Sequence, residues 1–212
     1  MRFHRTPPPK QYKRYAKYRQ YTRSTFQRFC AYCFRHEIEA GGEGAFEQDH
    51  FRPKSHGVKY RDDYHNLYWS CRECNSARNK DGHWPSADQA MRGMAFSDPI
   101  DHDPVDVDYR ISNLEAVALN PVGDYTITHI RLNRESVRDT RRERERVKQI
   151  YTVIYNEVIR AEADLPPGAI RDFAVELKNR IRSFLDRNPF VFCEQPDLLG
   201  IDVILAATSR AP

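Results

Sequence analysis

Apolar and polar positions change rhythm several times along this chain, and each change marks an element. After Pro7-Pro8-Pro9, tyrosines recur every third residue at Tyr12, Tyr15, Tyr18 and Tyr21, with Lys13, Arg14, Lys17, Arg19 and Arg23 between them. That spacing keeps neighbouring rings on one side of a helix, so residues 10–29 are read as a basic amphipathic helix. Gly41-Gly42-Glu43-Gly44 is a turn signal, and Ala45–His50 behind it reads as a short strand. Leu67-Tyr68-Trp69 is a second apolar strand, followed by a helix from about Ser70–Cys74 to Lys80. Residues 83–104 are irregular and rich in Pro, Asp and Gly. Three short strands are expected next, at Val105–Ile111, Leu114–Leu119 and Tyr125–Ile130, with Asn120-Pro121-Val122-Gly123-Asp124 as a turn between the last two.

The period then lengthens to that of helices. Val137, Val147, Ile150, Tyr151, Ile154, Val158 and Ile159 give a charged helix at about 134–162 its apolar side. Pro166-Pro167-Gly168 breaks it, and Ile170, Phe173, Ala174, Leu177, Ile181, Phe184 and Leu185 outline another helix over 169–187. The run Arg141-Arg142-Glu143-Arg144-Glu145-Arg146 reads as a solvated helix face. The expected architecture is α+β. Its parts are a basic N-terminal helix (1–29), a cysteine-bounded core (30–82), an irregular segment with a small antiparallel sheet (83–133) and a C-terminal helical region (134–212).

Charge adds a partner class. Of 34 Lys/Arg, ten lie in residues 1–36, where there is no Asp or Glu; the remainder holds 24 basic and 30 acidic residues. A cationic arm on an otherwise acidic chain points to a polyanion, nucleic acid first. No apolar run approaches the roughly 20 residues that cross a bilayer, and the start has no stretch suited to a signal peptide. A reducing cytoplasm is the expected compartment, where paired cysteines are metal ligands rather than disulfides. Cys193, among Phe190, Val191 and Phe192, reads as a small buried hydrophobe.

The candidate chemistry lies in the middle of the core. Cys30-Ala-Tyr-Cys33 and Cys71-Arg-Glu-Cys74 stand 37 residues apart, the spacing of a closed four-thiolate zinc site, which leaves no position for substrate and is therefore structural. Between them lies Asp49-His50, and Asn75 follows the last cysteine. A zinc deaminase is excluded, because no proline precedes either CxxC and the HxE element is missing.

These residues resemble the HNH endonuclease family, the ββα-metal fold. The resemblance rests on Cys30-x-x-Cys33, Asp49-His50-x-x-Pro53-x-Ser55, Asn66-Leu67 and Cys71-x-x-Cys74-Asn75-x-x-Arg78. It implies that Asp49 and Asn75 hold one catalytic divalent ion, Mg2+ or Mn2+, apart from the structural Zn2+. It further implies that His50 is the general base and that Asn66 braces the loop orienting it. Many members carry histidine where Asn75 stands here; an amide oxygen favours magnesium more than imidazole does. The chemistry agrees, since a histidine near pKa 6.5 can take a proton from water and a hard cation can stabilise charge on phosphate. Glu47 shares the strand face of Asp49 and is a further candidate ligand.

Arg52, Arg78 and Lys80, with Lys13, Arg14 and Lys17 of the arm, are expected to meet phosphates. His36, His56, His65, His83 and His102 are assigned surface or core roles. More weakly, Asp98-Pro99 and Thr126–Arg134 look similar to HNH subunits of Septu-type and retron-linked anti-phage systems, which implies a defence role beside a separate ATPase, with the C-terminal helices as a docking platform. The competing reading is a non-catalytic, zinc-stabilised nucleic-acid-binding adaptor.

Overall fold

The computed structural model describes residues 3–76 and 80–185. The chain forms two compact units, Met1–Arg141 and Arg142–Pro212. Helices and two small sheets make the fold α+β, as the patterning implies. None of the described helices is long and apolar enough to cross a membrane.

The first unit opens with a segment pinned by side chains rather than by helical bonds. Phe3 is buried against Phe26, with ring centroids 4.8 Å apart. Arg5 donates to the Leu67 carbonyl at 2.6 Å and lies over the Tyr68 ring. The helix expected over 10–29 is shorter: a 3-10 turn at Tyr15–Tyr18 leads into α1, Arg19–Thr25. The backbone N–H of Tyr12 donates to the Tyr18 hydroxyl, and that of Tyr15 to Asp62 Oδ1. These partners satisfy amides that a helix would have used. Gln27 and Arg28, both at positive φ, end it. Tyr18 is buried with Tyr64 and Leu67, and Tyr12, Tyr15 and Tyr21 pack around them, so the tyrosine stripe is largely a packing surface.

Strands β1 (Phe46–His50) and β2 (Leu67–Cys71) pair antiparallel, with Phe46 opposite Cys71 and Asp49 opposite Tyr68. All five β2 positions are buried. The helix expected after β2 is absent among the described residues. Ser70 and Cys71 belong to the strand, and the amides of Cys74 and Asn75 both fold back on the Cys71 carbonyl, making a tight ligand turn. Among the described residues the next helical element is a 3-10 turn at Asp81–His83, and a short α2 follows at Ala87–Met91.

Only two of the three later strands form. β3 (Tyr109–Ser112) and β4 (Glu115–Ala118) pair antiparallel. The expected start at Val105 is delayed, with Asp106 at positive φ. Asn113 and Leu114, both at positive φ, close the hairpin, as a two-residue turn matched to strand twist requires. The residues expected as the third strand lie instead in α3, Pro121–Ile130. Asn120 caps it by accepting from the Gly123 amide, and Pro121 takes the first helical position, so the Asn-Pro pair is a helix start. A Cβ at Gly123 would lie 1.8 Å from the Asp108 carbonyl oxygen, so only glycine allows this approach.

Helix α4, Glu135–Asp164, begins in the first unit, where Val137 is buried and Arg141 donates to the Leu114 carbonyl. In the second unit Tyr151 packs with Leu177 and Ile181 of α5, Ala169–Leu185, joined by Val147, Ile154, Val158 and Phe173. Ile150, Ile159 and Ile170 are exposed, off the buried seam, and Arg141 and Arg144 are buried within the run read as a solvated face. Cys193 lies outside the described residues.

Candidate active site

The four Sγ atoms of Cys30, Cys33, Cys71 and Cys74 lie within 4.8 Å of one another and are buried. Cys33 and Cys71 are 3.8 Å apart, matching the roughly 3.8 Å edge of a tetrahedron with 2.3 Å Zn–S bonds. The donor set fits a structural zinc. Burial opposes ionisation of Cys33, but hydrogen bonds from the other three thiols and the Arg134 charge hold its pKa well below the ordinary thiol range.

Two guanidiniums flank the sulfurs. Arg134 Nη2 donates to Cys74 Sγ at 3.1 Å and Arg35 Nη2 to Cys71 Sγ at 3.6 Å, and both side chains pair with Glu73. Zn2+ with four thiolates carries about −2, so these cations balance the cluster. Burial works against both arginines, yet the thiolate charges raise their pKa values further.

A cavity of about 320 Å³ opens beside this frame, lined by Glu47, Asp49, His50, Asn75 and Lys80 among others, with Tyr15 at its edge. His50 Nε2 is 2.8 Å from the Arg61 carbonyl oxygen. A carbonyl can only accept, so Nε2 carries the proton and the neutral ring has its lone pair on Nδ1. The Tyr15 ring meets the imidazole edge-on at 5.1 Å. Asn66 is buried and ties the intervening loop together: Nδ2 donates to the carbonyls of Arg52 and Tyr60, each at 2.9 Å, and Oδ1 accepts from the Arg52 amide at 2.8 Å.

Asp49 is buried, and its Oδ2 accepts from the Tyr32 hydroxyl and the Lys80 ammonium. Asn75 Nδ2 donates to Glu47 Oε2 at 3.1 Å, which leaves its amide oxygen as an acceptor. A carboxylate, an amide oxygen and a neighbouring carboxylate are hard donors of the kind that would hold Mg2+ or Mn2+.

The cations divide. Arg52 has its guanidinium over the Tyr60 ring at 4.5 Å and near Trp84, a stacked arrangement without an ion pair among the described residues. Lys13, Arg14 and Lys17 are exposed on the segment that carries Tyr15. Lys80 corrects its sequence assignment: at 4% side-chain exposure it is an internal partner of Asp49 rather than a surface phosphate contact. Burial lowers its pKa, against the pull of the Asp49 charge. Arg78 lies outside the described residues. Sequence reasoning missed Tyr32, Arg35 and Arg134, of which only Tyr32 carried a signal, its place between two ligand cysteines; Tyr15 was visible as a member of the tyrosine stripe, though not as a neighbour of His50.

Residues 30–81 match the family model for HNH endonuclease. That stretch runs from the first ligand cysteine through β1 and β2 to the far wall of the cavity. No curated protein and no solved structure matches the chain.

Proposed function

We propose, taking the HNH endonuclease domain at residues 30–81 as premise, that this protein hydrolyses phosphodiester bonds of nucleic acid with His50 as general base. The observation that carries the reading is the tautomer fixed by Arg61. It leaves His50 Nδ1 free to take a proton, beside a cavity that Asp49 and Asn75 also line. A divalent ion held by Asp49 and Asn75 supplies charge stabilisation to the phosphate when bound. Asn66 holds the Arg52–Tyr60 loop, so that the Arg61 carbonyl keeps its place on His50. Arg52, stacked on Tyr60, offers its guanidinium to a flanking phosphate. Lys13, Arg14 and Lys17 extend a cationic path along the N-terminal segment.

The test is cleavage of supercoiled plasmid, single-stranded DNA and total tRNA with Mg2+, Mn2+ or EDTA. Metal-dependent cutting is expected from the wild type, with a loss of about 10²–10⁴-fold in His50→Ala and stoichiometric zinc retained in the variant. Full activity in His50→Ala would remove the mechanism.

A role in anti-phage defence beside an ATPase subunit rests on sequence resemblance. The exposed Ile150 and Val153 of α4 are the surface we assign to such a partner. Co-purification that survives in the wild type and fails in an Ile150→Asp, Val153→Asp double variant is the expected result; equal recovery would remove that assignment.

A further inference from the structure

Asp49 does not face the cavity on its own. The Tyr32 hydroxyl and the Lys80 ammonium both donate to its Oδ2, and the Lys80 Nζ lies 2.6 Å from the Tyr32 oxygen. All three side chains are buried. Among the described residues, the hydrogen bonds to this carboxylate go to Oδ2 and leave Oδ1 available.

The two donors differ in what they can do. An ammonium beside Oδ2 repels any cation arriving at Oδ1, so its charge opposes metal binding even as its hydrogen bond orients the carboxylate. The phenol is neutral and orients without repelling. Tyr32 is also the more rigid of the two. It sits directly before Cys33 and two residues after Cys30, so zinc ligands fix its backbone on both sides. Its ring stacks on Tyr68 at an interplanar angle of 11°, and the Ala31 amide anchors the same turn to the Trp69 carbonyl at 2.8 Å.

We propose that Tyr32 is a positioning residue through which the zinc turn sets the rotamer of Asp49, presenting Oδ1 as the oxygen that ligates the catalytic cation. The proposal deepens the reading of Asp49 as a metal ligand and rests on it. The zinc then has a second task beyond holding the domain together, because its first ligand turn delivers the group that orients the catalytic carboxylate. Outer hydrogen-bond partners of ligating carboxylates govern metal affinity by about 10–100-fold.

Mn2+ affinity, read by electron paramagnetic resonance, and cleavage rate against Mn2+ concentration test this on the full chain. Wild type, Tyr32→Phe and Asp49→Ala are compared at verified zinc content. Tyr32→Phe is expected to keep its zinc, bind Mn2+ about tenfold or more weakly, and recover the wild-type kcat at saturating Mn2+. An Mn2+ affinity within about twofold of wild type, with Asp49→Ala having lost binding, overturns the role of Tyr32 alone. Wild-type affinity in Asp49→Ala overturns the ligand reading of Asp49, and the role of Tyr32 with it. Should Tyr32→Phe lose zinc, site-specific 3-fluorotyrosine at position 32 keeps the hydroxyl and replaces it as the probe. Its 19F signal should shift as Mg2+ is added, and a signal unmoved at saturating Mg2+ overturns the proposal.

Discussion

Two antiparallel strand pairs with strands of four or five residues sit in the first unit, and they are held by different means. β1–β2 is joined through residues 51–66, and β2 is buried at every position. It owes its shape to four thiols, a buried Lys80–Asp49 pair and the Asn66 ties. β3–β4 closes through two residues and leaves Val117 exposed. It is held by short-range devices and by Asn133, whose side chain bonds both backbone groups of Ala116 at 2.7 and 2.9 Å. The first hairpin places Glu47, Asp49 and His50 in a cavity. A thiol cluster fit for a metal and buried polar partners frame the first, whereas local turn chemistry is enough for a hairpin that only packs.

Metal removal should break this contrast most severely. Chelating the zinc, or Cys33→Ser, removes a coupling on the order of 10 kcal/mol, so the cooperative unfolding transition of the first unit should disappear with the activity. A retained transition in zinc-free protein would mean that the β1–β2 frame stands without its staple. Next comes His50→Ala, where catalysis should fall without loss of fold. Asn66→Ala should do both, costing about 1–3 kcal/mol for its buried partners and lowering cleavage, because the loop carrying the Arg61 carbonyl loses its ties. Urea midpoints measured beside rates would show it, and an unchanged rate would detach the loop from His50. The smallest effect belongs to the other hairpin. Asn133→Ala should cost a similar 1–3 kcal/mol yet leave cleavage per folded molecule unchanged; a lower rate would mean that the two hairpins are not functionally separate.

Much of this was legible in the residues. The strand at Phe46–His50 followed from the glycine turn before it, and α4 and α5 from their spacing. The thiol cluster and the Asp49-His50 pair were visible because ligand and motif positions are close to a fixed order. Tyr125–Ile130 was not, since its alternating Thr and Ile read as strand while Asn120 and Pro121 had already committed the backbone to a helix. Ile127 and Thr128 show how weakly β-branching constrains a segment once capping and burial agree. Lys80 was misread for a related reason: a buried lysine needs a partner that only tertiary structure supplies, and in sequence it looks like any other cation. The exposed Ile150 shows the converse error, an apolar residue at a plausible spacing that turned away from the seam.

Arg134 donates to Cys74 Sγ across a separation of sixty residues. A growing chain therefore presents all four thiols to the cell's zinc supply well before it presents this guanidinium. The domain can be metallated early in synthesis, but its cluster keeps an excess of negative charge until α4 begins to emerge. Assembly of a metal-loaded cluster would thus have an order in time: metal first, counter-charge second.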